Sequence, residues 1–235
     1  HLHPRPFHLG QRVSRELDAD IGPDQDPLNN IVPPANDPDN DRFDDGSRLR
    51  NLANCQPAAA DVQVAIAPIA VNYFQQLGTP AYLNIWIDSN RDGDWADGFT
   101  CQDPQGQNQT VVEHILIDQP INVVGLGAGL HNLANIATQR VLWPAQLANR
   151  PAWVRFTLSD RPSNKTLNFG AISYGDGRGY AQAFKVGETE DHYRYYGGDA
   201  VDVAVQLSAN SQPMAKQDAG LQAAAVAQLG NFEIQ

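Results

Sequence analysis

The stretch Tyr82–Trp95, which reads YLNIWIDSNRDGDW, carries the clearest indication of the fold. Its first six residues alternate in the manner of a strand rather than a helix. The run that follows, Asp88–Asp94, has an oxygen-bearing side chain at every second position and a turn glycine at Gly93. We therefore expect a β-protein in which a strand leads directly into a loop rich in carboxylate and amide oxygens.

Alternating oxygen-bearing side chains of this kind are typical of a calcium loop. Ca²⁺ takes about six to eight oxygen ligands, and a D-x-N-x-D-G run curls so that its first, third and fifth side chains point inward. The sequence predicts Asp88, Asn90 and Asp92 as side-chain ligands, and Asp94 as a side-chain or carbonyl ligand. An EF-hand would place a bidentate glutamate where Phe99 stands, so the remaining ligands must come from elsewhere. The alternative is a metal-free tight turn, which favours the same residue types.

The chain after Gly46 has the patterning of an all-β protein, with short apolar runs between clusters of turn residues. This pattern fits a sandwich better than a helical or βαβ fold. Helix is expected only locally, at His131–Arg140 and at Asp218–Leu229, where the propensity is highest. The candidate strands are Val62–Ala67, Ala81–Asp88, Val111–Asp118, Ile121–Val124, Trp153–Ser159, Glu190–Tyr196 and Val201–Leu207.

The composition divides the chain into three parts. Residues 1–45 are predicted to be an extended acidic arm, because Asp18–Asp45 holds nine aspartates and five prolines and has too few apolar side chains for a core. Residues 46–196 are predicted to be the sandwich, and residues 197–235 a C-terminal strand and tail. The arm is either a solvated linker or, through Asp37–Asp45, a further source of oxygen ligands.

Charge and termini limit the partners and the compartment. A net charge of −11 disfavours nucleic-acid phosphates and anionic membrane surfaces, and no apolar stretch is long enough for a membrane span. The chain begins at His1 rather than Met, which is typical of a processed product or a fragment. Cys55 and Cys101 are either one disulfide, the reading we favour, or two buried thiols. A disulfide would suit an extracellular protein.

A second acidic motif occurs at Gly187–Asp191, which reads GETED and leads into a tyrosine-rich segment. Together with the Asp88–Trp95 run, the strand Trp153–Ser159 and the entry Asp41–Gly46 (DRFDDG), it resembles the GEVED domain family, modules of secreted and cell-surface bacterial proteins. The likeness covers about residues 40–196. The chain departs from the family pattern in Thr189, which stands where valine is expected, in the insertion of His192 before Tyr193, and in the end of the loop, where Asp97 stands for the usual acidic residue.

The resemblance implies a calcium-stabilised β-sandwich with a structural or adhesive role. It also makes Glu188, Glu190 and Asp191 candidate ligands that approach the calcium loop from the second motif. The alternative is that these acids face water beside a turn.

Enzymatic motifs are absent from the sequence, which has no G-x-S-x-G elbow and no HExxH zinc site, and we expect no catalysis. Trp86, Trp95, Trp143 and Trp153 are expected in the core. The alternative for Trp95 and the tyrosines of Tyr193–Tyr196 is a sugar-stacking platform.

The segment Val201–Leu207 alternates strictly and needs a sheet with which to pair. Val201, Val203, Val205 and Leu207 form its apolar face. This strand either pairs within its own sandwich or adds to the edge of a neighbouring copy.

These observations predict an extracellular or cell-surface structural protein, a self-assembling filament or surface-assembly subunit with Ca²⁺ as cofactor. The partners would be copies of itself, or other cell-surface proteins or glycans. The alternative is an adhesin or carbohydrate-binding module of a larger protein.

Overall fold

The computed structural model describes residues 5–13, 45–147, 152–177 and 184–194. Most of the acidic segment Asp18–Asp45, the predicted strand Val201–Leu207 with its four apolar residues, and the predicted helix Asp218–Leu229 lie outside the described residues. Strands make up 52% of the described part and helices 12%, and the sheets are antiparallel. The all-β fold class predicted from the sequence is confirmed.

The strands and helices follow one another in this order: β1 Phe7–Leu9, β2 Ser47–Arg50, β3 Gln56–Ile66, α1 Pro68–Leu77, β4 Ala81–Ile87, β5 Gly98–Gln102, β6 Asn108–Val112, β7 His114–Ile121, α2 Val123–Leu126, β8 Gly129–Val141, β9 Ala152–Ser159, β10 Leu167–Phe169, β11 Ile172–Tyr174 and β12 Gly187–Arg194. A short 3-10 turn covers Ala145–Leu147.

Two antiparallel sheets enclose the main core. One has the order β12-β9-β4-β7, and in the other β3 pairs with β8 on one side and with β1 and β2 on the other. The hairpins β5-β6 and β10-β11 are separate two-stranded sheets. Alternate residues of β3, β4 and β9 meet between the two main sheets, where Val64, Ile85 and Phe156 are fully buried. This period-two burial explains why the strands form where the apolar alternation predicts them.

The segment predicted as an arm contributes a strand to this sandwich. Phe7–Leu9 pairs antiparallel with Val64–Ile66, and both Phe7 and Leu9 are fully buried. The ring of Phe7 meets that of Phe74 on α1 edge-on, with centroids 5.1 Å apart. The folded domain therefore includes β1 as well as residues from the predicted range 46–196, because two large apolar side chains gain a place in the core.

Several local predictions from the sequence differ from the structure. The predicted strand Val111–Asp118 is divided at Glu113 between β6 and β7. His131–Arg140 belongs to β8 rather than to a helix, because pairing with β3 outweighs the helical propensity of this segment. The predicted strand Ile121–Val124 ends at Ile121, and the side chain of Asn122 then caps α2 by accepting from the Gly125 N–H at 2.9 Å. Helix α1 is absent from the sequence predictions.

Helix α1 has clear start and stop signals. Proline stands in its first turn at Pro68, and Gly78 ends it in the left-handed region with a φ of 71°. Its buried residues Ala70 and Phe74 pack into the core. No helix in the described ranges has the length and apolar character needed to cross a bilayer.

Cys55 and Cys101 form a disulfide, as predicted, with their Cα atoms 5.8 Å apart. The bond joins the residue that precedes β3 to strand β5, which are 46 residues apart in the chain. Val111 packs against it in a small buried cluster. The disulfide therefore fastens the β5-β6 hairpin to the start of β3, the central strand of its sheet.

A buried histidine lies on β7 and is held in its neutral form. The His114 ring is 0% exposed, and its Nδ1 accepts from the Gly175 N–H at 3.1 Å. Its Nε2 donates to Asn84 Oδ1 at 2.8 Å, and the ring stacks on Trp86 with centroids 4.1 Å apart. Burial lowers the pKa of His114 to about 3, because the charged imidazolium would lose its hydration.

We expect this histidine to make the fold acid-sensitive. Between about pH 6.5, the ordinary pKa of histidine, and a folded-state pKa of about 3, the unfolded chain binds a proton that the folded chain does not. The free energy of unfolding should therefore fall as the pH falls through this window, by at most about 1.4 kcal/mol per pH unit. Urea unfolding at several pH values should give a shallower slope for His114→Asn than for the native chain. His131→Asn, on β8, is the matched control, and equal slopes for His114→Asn and the native chain would contradict the assignment.

Candidate metal centre

The loop between β4 and β5 folds around its own oxygen-bearing side chains. At Asp88, Asn90, Asp92 and Asp94 the side-chain oxygen accepts from a backbone N–H two or three residues further on, over 2.7 to 3.3 Å. Arg91 and Gly93 adopt positive φ angles of 64° and 101°. These turns follow from the preference of Asp and Asn for bonding to the backbone ahead of them, and they coil the loop tightly.

Three carboxylates of this loop converge. Asp92, Asp94 and Asp97 each offer an oxygen atom, and these atoms all lie within 4.8 Å of one another. The structure therefore brings together two of the predicted ligands, Asp92 and Asp94, with Asp97, the residue that ends the loop. Carboxylate oxygens at this spacing are the hard ligands that Ca²⁺ prefers.

Asn90 joins this group through its amide. Its Nδ2 donates to Asp92 Oδ2 and to Asp97 Oδ2, each at 2.6 Å. The positive end of the amide dipole thus lies between two negative side chains. Half a turn of the amide about its terminal torsion would place Oδ1 at the same point, so Asn90 fits the predicted role of an oxygen ligand.

Crowding and burial of negative charge affect the acids of the loop. Burial, and then the nearby charges of Asp92 and Asp94, raise the pKa of Asp97. Asp88 is 2% exposed, and burial, reinforced by Asp92, raises its pKa to about 7. Asp88 Oδ1 faces the Arg91 N–H at 2.7 Å, so its carboxylate shapes the loop and lies outside the group of three.

Glu113, which is not among the predicted site residues, lies between β6 and β7 and supports the loop. It is fully buried and accepts from the Ser89 N–H at 2.7 Å and from the Asp97 N–H at 3.3 Å. Burial and the charge of Asp88 raise its pKa well above the ordinary value. The available signal is an acid inside the apolar run Val111–Leu116, since a buried glutamate needs a specific partner.

The basic side chain of the loop makes contacts with carbonyl groups and an aromatic ring. The Arg91 guanidinium donates to the carbonyl of Asp88 at 3.1 Å and to that of Ser89, and it lies over the Trp143 ring at 4.3 Å.

The acids of the second motif lie on β12, and the structure gives them other partners. Glu188 and Glu190 face the edge formed by β1 and β2. Glu188 Oε2 accepts from the Leu9 N–H at 2.8 Å, and Glu190 Oε1 accepts from the Gly46 N–H at 2.9 Å. Ser47 Oγ donates to Glu190 Oε2 at 2.5 Å.

Asp191 points to the opposite face of β12, because successive side chains of a strand alternate. It binds the Arg155 guanidinium through both oxygens, at 2.8 and 2.7 Å, and the pair is buried. Arg155 in turn lies over the Trp95 ring at 4.2 Å. Asp191 is therefore joined to the loop between β4 and β5 through Arg155 and Trp95. In the described ranges, Glu188, Glu190 and Asp191 are not grouped with the three loop carboxylates.

The tryptophans lie in the interior, as predicted. Trp86, Trp95 and Trp153 form one buried cluster on the outer face of the β9-β4 pair, and Trp143 is fully buried in the main core. Trp95 is 1% exposed, which leaves no open face for sugar stacking. Tyr195 and Tyr196 lie outside the described residues.

Comparisons with protein-family models, with curated proteins and with solved structures give no match to this chain.

Proposed function

We propose that this chain is a calcium-binding β-sandwich of the extracellular space or cell surface, which serves as a non-enzymatic subunit of a filament or surface assembly. The observation that carries the proposal is the convergence of Asp92, Asp94 and Asp97 in a loop with the D-x-N-x-D-G pattern. The placement of this loop at the end of a strand, as the resemblance to the GEVED family implies, also supports it.

The metal would act on the fold rather than on a substrate. Asn90, Asp92, Asp94 and Asp97 are the residues that would hold Ca²⁺, and the ion would neutralise their mutual repulsion. The loop is packed through Trp95 against Arg155, which is bound to Asp191 on β12. We infer that a cation at the loop would stiffen the connection between β4 and β5 and the side chains packed on it.

A disulfide and an acidic, charged surface are compatible with an extracellular role. The Cys55–Cys101 bond would persist in an oxidising compartment and would be reduced in most cytosols. A net charge of −11 makes separate copies repel one another. Divalent cations would weaken that repulsion, so assembly is expected to depend on calcium in two ways, through the loop and through the overall charge.

Electron microscopy of the purified protein tests the proposal. We expect ordered polymers in millimolar calcium and dispersed particles after chelation. Magnesium at equal ionic strength is the control, since it screens charge equally but prefers a smaller octahedral site. Deleting residues 198–235 tests the tail, including Val201–Leu207, and unimpaired assembly would reject its role. Dispersed particles under all conditions would contradict the proposal that this protein forms a polymer.

A further inference from the structure

Strands β1 and β2 are two parts of one edge strand that is interrupted by a long insertion. β1 pairs with Val64–Ile66 and β2 with Ala59–Val62, both antiparallel to β3 and in the same direction. Gln63 lies between these two ranges, accepting from the Gly10 N–H at 2.8 Å and donating to the Gly46 carbonyl at 2.7 Å. The edge strand therefore runs to Gly10 and resumes at Gly46.

The two ends of the insertion lie in contact. A methyl group built on Gly46 would be 1.9 Å from the Gly10 nitrogen, so only glycine fits at this crossing. Asp45 Oδ1 accepts from the Gln11 N–H at 2.9 Å, and this bond holds the two ends of the insertion together. A gap this small needs a connection of very few residues, yet 35 residues, from Gln11 to Asp45, separate the two glycines.

Strand β1 lies in a buried site at the edge of β3 and is held there by noncovalent contacts. Its two core side chains, Phe7 and Leu9, are fully buried, and their removal would expose Phe74 and the edge of β3. The strand is held by three paired residues and by the Glu188 carboxylate, which accepts from the Leu9 N–H. All of these contacts come from β3, α1 and β12, and none requires that β1 belong to the same chain.

We propose that β1 is an exchangeable strand, and that the edge site formed by Val64–Ile66, Phe74 and Glu188 accepts Phe7–Leu9 from a second copy of this chain. The inference rests on the proposed self-assembly and names the contact that links the copies. Exchange preserves the contacts of β1 with β3, α1 and β12, so its equilibrium depends on the connection and on protein concentration.

The connection is long enough for the exchange. A segment of 35 residues can span at most about 115–125 Å when fully extended. A folded domain of this size has a radius of gyration of about 16 Å. Residues 11–45 can therefore reach the edge site of an adjacent copy.

A cysteine pair across the β1-β3 register distinguishes the two forms. His8 and Ala65 are directly opposed, so the double variant His8→Cys, Ala65→Cys should form a disulfide whichever chain supplies β1. Exchange predicts covalent multimers on a non-reducing gel that revert to the single chain on reduction. Peptide mapping must locate the bond between positions 8 and 65. The matched control is Arg48→Cys, Asp61→Cys, an opposed pair on β2 and β3 that should bond only within one chain.

The result separates this inference from the proposed function. Bonds confined to single chains, or free thiols at both positions, would overturn the exchange. If such samples still form fibres under the microscope, the filament stands and its subunits are joined elsewhere. Multimers bonded through positions 8 and 65 without fibres would support the exchange and contradict the filament.

Discussion

Removing calcium is expected to lower the thermal midpoint of this protein by about 10 °C. A ligand that binds only the folded state stabilises it by about 4 kcal/mol at a thousand times its dissociation constant. For a domain of this size each kcal/mol corresponds to about 2–4 °C. Differential scanning calorimetry in excess calcium and in excess chelator measures the difference. An unchanged midpoint after complete chelation would refute the calcium site.

A single substitution sharpens this test because its effect should change sign. In chelator, Asp92→Asn should leave the protein as stable as the native chain or more so, because it removes a charge that raises the pKa of Asp97 and keeps an oxygen that can accept from the Asp94 N–H. In calcium the same variant should be less stable than the native chain, because it loses a charged ligand. Asp61→Asn is the control. It removes a partly exposed ion pair with Arg50, worth at most about 1 kcal/mol, and should keep the full response to calcium.

The second large effect is expected from the disulfide. Replacing Cys55 and Cys101 by alanine should lower the free energy of unfolding by about 4 kcal/mol, because the bond closes a segment of 46 residues and the unfolded chain regains that loop entropy. The thermal midpoint should fall by about 8–16 °C.

Urea unfolding of the double variant measures this loss. The native chain with its disulfide reduced and blocked is the matched control, and its loss should be similar. A loss below about 1 kcal/mol would mean that the β5-β6 hairpin is held by its packing, through residues such as Val111, rather than by the covalent bond.

The main strands could be predicted from the sequence because their alternation reflects burial between two sheets. Trp153–Ser159 is an example, since its even positions enter the core and the structure extends the strand by one residue. β8 was harder, because most of its residues are exposed or half-buried, and its strand form depends on pairing with β3. β1 was hidden for a similar reason, since a three-residue strand has almost no periodicity of its own.

The shape of the loop between β4 and β5 could be predicted because its residues are consecutive, so their spacing alone sets their geometry. The structure brings Asp92, Asp94 and Asp97 together, whereas Asp88 lies outside this group, and the metal itself stays a prediction. The partners of Glu188, Glu190 and Asp191 could not be predicted in this way. They depend on which face of β12 each side chain occupies, and on strands that lie more than thirty residues away in the sequence.

The bond between the Leu9 N–H and Glu188 also affects the order of folding. It joins residues 179 positions apart, so β1 is synthesised long before β12, the strand that it contacts. Contacts of such long range slow folding, because the chain loses entropy before they form. During synthesis the site for Phe7 and Leu9 at the edge of β3 is incomplete until β12 has been made. The newly made chain is therefore most open to capture by a chaperone or by another nascent chain at this edge.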